Sequence, residues 1–226
     1  RLACSYGNLP FVDVRLNGEQ FQEMKALGEL PYGQLPVIET SPGKFIGQSA
    51  AILRFVGKLT GLYPVDDHVS AAVIDSLLDQ EVDMFMGLSV SRYRARFGFG
   101  SLSEECLADV RKQLNEEILP RHLEYFENFL RKSSTGWLAG TEGPSVAEFM
   151  LVPRLQWLTI PGVHDGISTE ILDAFPLLKD LIHRFNDLPQ IKAYYAQHHG
   201  KQSAVRRIDY CCVALQLQTI NVSYPY

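Results

Sequence analysis

The chain has 226 residues, 46% hydrophobic and 21% charged, with a net charge of −5. This is an ordinary globular composition, long enough for one large or two small domains. The acidic balance leaves no basic stripe to neutralise nucleic-acid phosphates, and no apolar run approaches the ~20 residues of a membrane helix; no nucleic acid and no membrane are expected as partners.

Leu2-Ala3-Cys4-Ser5-Tyr6, stopped by Gly7-Asn8, reads as the last turns of a helix, because glycine after the final turn is the usual stop. Phe11–Leu16 is strand-like by its β-branched content and partial alternation. A helical stretch from Gln20 to Leu27 leads into Leu30-Pro31-Tyr32-Gly33-Gln34-Leu35-Pro36-Val37-Ile38-Glu39. Thr40-Ser41-Pro42-Gly43 is a turn signal that folds this strand back on a second one, which ends at Gly47-Gln48-Ser49-Ala50-Ala51-Ile52. Pro36 belongs at a strand start, where its missing N–H costs nothing, and it pushes Leu35 toward an extended conformation. Leu35 is thereby set to offer its backbone to an extended peptide. Gln48-Ser49 sit where a strand becomes a helix, a place where free amides and the helix dipole collect an anion; a plain reading makes Ser49 an N-cap instead.

From Ser49 the pattern is helical, with Ile52, Phe55, Val56 and Leu59 on one stripe, and Gly61 ends it. Leu62 to Asp67 contains Pro64 and has no periodicity, so the domain boundary is expected there. Residues 69 to 96 and 103 to 131 carry helical spacing, with a kink expected at Pro120. Ser145-Val146-Ala147-Glu148 is a capping box, with Pro144 and Phe149 placed for a staple. Pro153 predicts a bend in the helix that follows. Pro176 and Pro189 open two further helices, at the position where proline is tolerated. Val213-Ala214-Leu215-Gln216-Leu217 alternates like a lone strand.

The two motifs Pro31-Tyr32-Gly33-Gln34-Leu35-Pro36-Val37 and Gln48-Ser49-Ala50-Ala51-Ile52 together resemble the cytosolic glutathione transferases, whose runs read P-[FY]-G-Q-x-P-V and Q-S-x-A-I. The resemblance extends from Arg1 to His199 and is nearest to sigma-like members. It implies an α/β thioredoxin-like N-terminal domain (residues 1–62) that binds glutathione, then an all-α helical domain (68–200), with 201–226 a tail of unknown structure. The implied activity is conjugation of the glutathione thiolate to small hydrophobic electrophiles, or a related isomerase or peroxidase step. A non-catalytic structural or assembly module of the same fold is the alternative, since fold alone does not fix function.

By resemblance, Ser49 binds the γ-glutamyl carboxylate with Gln48 in support, Leu35 pairs with the cysteinyl unit ahead of a cis Pro36, and Gln34 lies beside the peptide. Tyr32 is read as loop packing. Asp79 would meet the ligand's ammonium across a homodimer interface, or else be an exposed helical acid. Where several classes place Trp and Lys for the glycine carboxylate, this chain has Glu23 and Leu27; Lys25 is the nearest cation. Tyr93, Phe97 and Phe99 are candidates for the hydrophobic-substrate pocket, with core packing the competing reading. The adjacent His198 and His199 cannot share a helix face, so no metal is expected; the resemblance implies glutathione as co-substrate. Cys4, Cys106, Cys211 and Cys212 form no Cys-x-x-Cys pattern, and Arg1-Leu2-Ala3-Cys4 is not a signal peptide; a cytoplasmic location is expected.

The family places a strand at the sheet centre, and just after it a Tyr, Ser or Cys that steadies the thiolate. Arg1 aligns beyond both, so the catalytic residue is expected upstream of Arg1, and Ser5 and Tyr6 are poor substitutes. A sheet without its central strand would leave two neighbours ~10 Å apart. Both ends thus read as a fragment or an error of gene modelling, and little or no conjugation by this chain is expected.

Overall fold

The computed structural model describes residues 1–202 and 212–217, with side chains through residue 198. The elements begin α1 (Leu2–Tyr6), β1 (Phe11–Leu16), α2 (Gly18–Ala26), β2 (Val37–Ser41), β3 (Lys44–Gly47) and α3 (Ser49–Thr60). Next come α4 (His68–Arg92), α5 (Glu104–Gln113), α6 (Leu119–Lys132), α7 (Val146–Leu158) and α8 (Pro176–Asp187). The last described elements are α9 (Pro189–Gln202) and β4 (Cys212–Leu217). Two compact units result: Arg1–Tyr63 together with the described residues from Pro189 onward, and Pro64–Leu188. The helix opened by Pro189 thus groups with the first unit, because α9 packs on α1, whereas the sequence reading set it among the other helices.

In the first unit the strands run β1-β4-β2-β3. The expected central gap is not there: β4 lies between β1 and β2, antiparallel to the first and parallel to the second. Alternation marked Val213–Leu217 as a strand but could not say where it pairs. Consecutive strand residues face opposite sides of a sheet, yet Val37 (1% exposed) and Ile38 (0%) are both buried. β2 is therefore covered on both faces. One cluster gathers Leu30 and Val37 with Val14, Phe21, Met24, Leu35 and Phe45 around them. At the end of α1 the chain comes against α3 so closely that a Cβ at Gly7 would fall 2.3 Å from the Thr60 side chain.

The second unit is helical. The capping box at Ser145 forms as expected: the Glu148 carboxylate accepts from the Ser145 amide (2.8 Å) and hydroxyl (2.8 Å). It also accepts from the Leu138 amide at 2.7 Å, which ties the preceding loop to α7. Desolvation pushes the Glu148 carboxyl above its usual range against these bonds. Its role is structural. Glu127, buried on α6, accepts from the Leu177 and Leu178 amides at 3.1 and 3.0 Å. It thereby caps the first turn of α8, whose own N-cap residue Phe175 makes no side-chain cap. Pro120 falls in the first turn of α6, after a π-helical turn at Leu114–Ile118. The irregularity expected at that proline is therefore taken up one turn earlier. Pro153 lies inside α7 as predicted.

Glu81 is the least comfortable group in this unit. It is 0% exposed on α4, with one cation in reach, Arg154 of α7, whose Nε lies 3.2 Å away. Neither Glu81 oxygen has a well-directed hydrogen-bond donor, so desolvation outweighs Arg154 and pushes the carboxyl up to about 7. Burial, with Arg92, Arg111 and Arg154 nearby, pulls His164 down to about 4. The linkage signs are opposite. Between pH 4.5 and 7 the folded state holds a Glu81 proton that the unfolded chain has lost, so stability falls as pH rises. Between pH 4 and 6.5 the unfolded chain holds a His164 proton that the folded state lacks, so stability rises. The two slopes oppose each other over most of that range. Glu81→Gln removes one falling slope, so from pH 4.5 to 6.5 its unfolding free energy in urea is expected to change with pH more positively than the parent's, by ~1 kcal/mol per pH unit. An unchanged profile would contradict the assignment.

Candidate functional site

The β2–β3 hairpin sets the site. Its register pairs Val37 with Gly47 and Ile38 with Ile46. Gly43 closes the turn at φ 75°, and its amide donates to the Glu39 carboxylate at 2.8 Å. Because Val37 faces Gly47, Pro36 at the entry of β2 and Gln48 at the exit of β3 come to the same end of the ladder. Two motifs twelve residues apart in sequence become neighbours, as their pairing implied.

The Leu35–Pro36 peptide bond is cis. Leu35 is half-buried against Leu30 and Val37, which anchors its side chain and leaves its backbone ahead of the β2 ladder, whose described pairs begin at Val37. Gln34 is half-buried beside it. Gly33 turns the preceding loop at φ 60°, with its amide bonded to the Leu30 carbonyl at 2.9 Å. The Tyr32 ring lies on Gly47, where a Cβ would sit 3.0 Å from Tyr32 Cδ2. Tyr32 thus joins the two halves of the site by packing. Lys25 of α2 reaches the same loop: its Cε would be 3.4 Å from a Cβ at Gly33.

Gln48, not Ser49, is the N-cap of α3, and it makes no side-chain capping bond. Ser49 is the first helical residue. The cap position thus falls one residue before Ser49, and the first-turn amides have no side-chain cap. Gln48 holds φ 71°, ψ 115°, a conformation that costs a residue with a Cβ ~1–3 kcal/mol. Such strain at a helix entrance aims its first amides where regular geometry would not.

The other candidates belong to the second unit. Asp79 is exposed on α4, and Tyr93 ends that helix half-buried with the Arg92 guanidinium 5.8 Å from its ring centre. Phe97 (41% exposed) and Phe99 (47%) follow around a 3₁₀ turn, with Arg96 5.3 Å from the Phe97 ring. Core packing is thereby ruled out for both phenylalanines. Glu81, Arg154 and His164 were not foreseen, since a single buried acid on a long helix has no periodic signature. Lys25 was foreseen as the nearest cation, one that could substitute from a shifted position.

A thioredoxin-like unit with a cis-proline loop, followed by a helical unit, is the architecture of the cytosolic glutathione transferases. The comparisons agree. Residues 101–198 match the family model "Glutathione S-transferase, C-terminal domain". The chain is 31% identical to glutathione S-transferase 1 of Ascaris suum, covering 87% of this chain and 88% of that one. It is 30% identical to glutathione S-transferase P of Capra hircus over 73% and 70% of the two chains. Among solved structures, prostaglandin synthase D of Nilaparvata lugens superposes with a TM-score of 0.71 at 27% identity, covering 87% and 89%. A monomeric glutathione S-transferase of Necator americanus gives 0.67 at 25% identity over 86% and 88%. The chain belongs to the glutathione S-transferase family.

Replacing Gln48 by glycine relieves the positive φ but adds ~0.5–1 kcal/mol of unfolded-state entropy. Relief outweighs that cost, so Gln48→Gly is expected to raise the unfolding free energy by about 1 kcal/mol in urea titration. A destabilised protein would show that Gln48 is held without strain.

Proposed function

We propose that the first unit binds glutathione and that its site serves conjugation of the thiolate to small hydrophobic electrophiles. The observation that carries this is the meeting of the cis Leu35–Pro36 loop and the uncapped Gln48-Ser49 helix start at one end of a two-stranded ladder. The residues assigned below hold the peptide; none of them is assigned the steadying of the thiolate, and little turnover by this chain alone remains the expectation. In this reading the Ser49 hydroxyl and first-turn amides of α3 donate to the γ-glutamyl carboxylate, where the helix dipole adds to charge-assisted bonds. The Leu35 amide and carbonyl pair with the cysteinyl backbone, as an added strand would. Gln34 and Gln48 flank the peptide. The Lys25 ammonium, on a stem that lies along Gly33, takes the glycine carboxylate.

So held, the thiolate sulfur attacks an electrophilic carbon, the carbon–sulfur bond forms, and the leaving group departs with the electron pair. The unit contributes position and electrostatics to that step. By the family resemblance alone, Tyr93, Phe97 and Phe99 are the second unit's candidates for receiving a hydrophobic electrophile; Phe97 and Phe99 are exposed. The relative named prostaglandin synthase D supports lipid-like substrates as well. We take the protein to be cytoplasmic and a homodimer, with Asp79 of one protomer meeting the ammonium of the ligand held by the other; the monomeric relative from Necator americanus makes assembly an experimental question.

Retention on glutathione resin reads binding, and turnover of a chloronitrobenzene reads chemistry. Binding without turnover selects a structural member of the family. Ser49→Ala is expected to weaken glutathione binding by ~1–3 kcal/mol, the cost of leaving a charged ligand group short of a hydrogen bond; unchanged affinity by calorimetry in a folded variant removes Ser49 from the site. Light scattering is expected to give twice 25.5 kDa, and a monomer mass would leave Asp79 an ordinary surface acid.

A further inference from the structure

We propose that Cys212–Leu217 is a donor strand that positions the glutathione-binding loop. This rests on the reading of Leu35–Pro36 given above. β1 ladders with β4 along its whole length, from Phe11↔Leu217 to Leu16↔Cys212. β2 ladders with the same strand at Val37↔Ala214, Ile38↔Leu215 and Glu39↔Gln216. Among the described residues β1 and β2 make no ladder with each other, so β4 is the backbone link between them. The first β2 residue it holds, Val37, follows Pro36 directly.

The two ladders have opposite sense, one antiparallel and one parallel. The slot between β1 and β2 is thus read through main-chain groups on both sides, as strand addition requires. Without β4, the facing edges of β1 and β2 would stand about two strand spacings apart, ~10 Å, with their N–H and C=O groups open to pairing with other chains. The entrance to β2 would then be held on one side only, by β3. Ligand affinity at Leu35 is in this way made to depend on a segment distant in sequence.

The donor is in cis. α9 belongs to the same unit as the sheet. Nine residues separate its end at Gln202 from Cys212, a tether that can reach ~30 Å at 3.3–3.6 Å per residue. A donor so close enjoys a high effective concentration over a strand from a second copy.

The register supplies a direct test with one new cysteine. Residues directly opposite in an antiparallel pair have Cβ atoms ~4.5–5.5 Å apart, near the range of a disulfide. In the full chain, Leu16→Cys is expected to cross-link to the native Cys212 under mild oxidation. The product should run as a monomer on non-reducing gels, and Cys212→Ser should abolish it. No cross-link, or one found only between chains, overturns the cis strand. Ala214→Pro removes a ladder donor in mid-strand and is expected to weaken glutathione binding about tenfold or more, the loss of one bond to the ligand, with helical circular dichroism retained. Parent-like affinity in Ala214→Pro overturns the positioning role. Should that variant not fold, amide exchange in the unaltered chain decides: alternate amides of Phe11–Leu16 exchange slowly if β4 ladders there, and exchange at the open-chain rate throughout overturns the proposal. A parent chain that does not bind glutathione refutes the site reading instead, while the cross-link still reports on the strand.

Discussion

Everything in the first unit that bears on function hangs on the pairing of Val37 with Gly47. A shift of one residue would turn both buried residues of β2 to opposite faces and would carry Gln48 away from Pro36. The register is fixed from both ends. Gly43 and the Glu39 carboxylate define the turn, and Tyr32 lies over Gly47 at the far end. Val37 and Ile38 are buried on opposite faces, so a slip would also force each side chain into packing shaped for another. The cis Pro36 and the positive φ of Gln48 sit just outside this ladder, where regular hydrogen bonding no longer dictates the backbone and irregular geometry can serve a ligand.

The second unit solves a different problem, the placing of carboxylates where water does not reach. Glu148 has three donors and Glu127 has two amides, so each exchanges hydration for directed bonds and fastens one element to another. Glu81 has one ill-directed guanidinium, and its carboxyl is pushed up to about 7. The difference lies in the number of directed donors each carboxyl meets, since a buried polar group without hydrogen-bond partners is costly.

Much of this was legible in the sequence because it is local. The capping box at Ser145, the prolines opening α8 and α9, the hairpin turn and the cis bond before Pro36 each depend on residues within a few positions, or on a motif the family shares. What was not legible is long-range. Alternation identified Val213–Leu217 as a strand, but its place between β1 and β2 depends on pairing with residues some 180 to 200 positions away, and periodicity carries no partner. For the same reason Arg154 could not be matched to Glu81, nor Glu127 to the start of α8. In the sequence Phe97 and Phe99 read as core more readily than as pocket; the 3₁₀ turn after α4 leaves both rings exposed, which no local pattern foretold.

The central claim is that one end of the β2–β3 ladder is a peptide-binding site assembled from two motifs. Titration of the isotope-labelled protein with glutathione, followed by amide chemical shifts, tests it most directly. Saturable changes concentrated at Gly33–Val37 (its four amides, Pro36 having none) and Gly47–Ala51 are the predicted result. Saturable changes centred elsewhere, or none at millimolar glutathione, would contradict it.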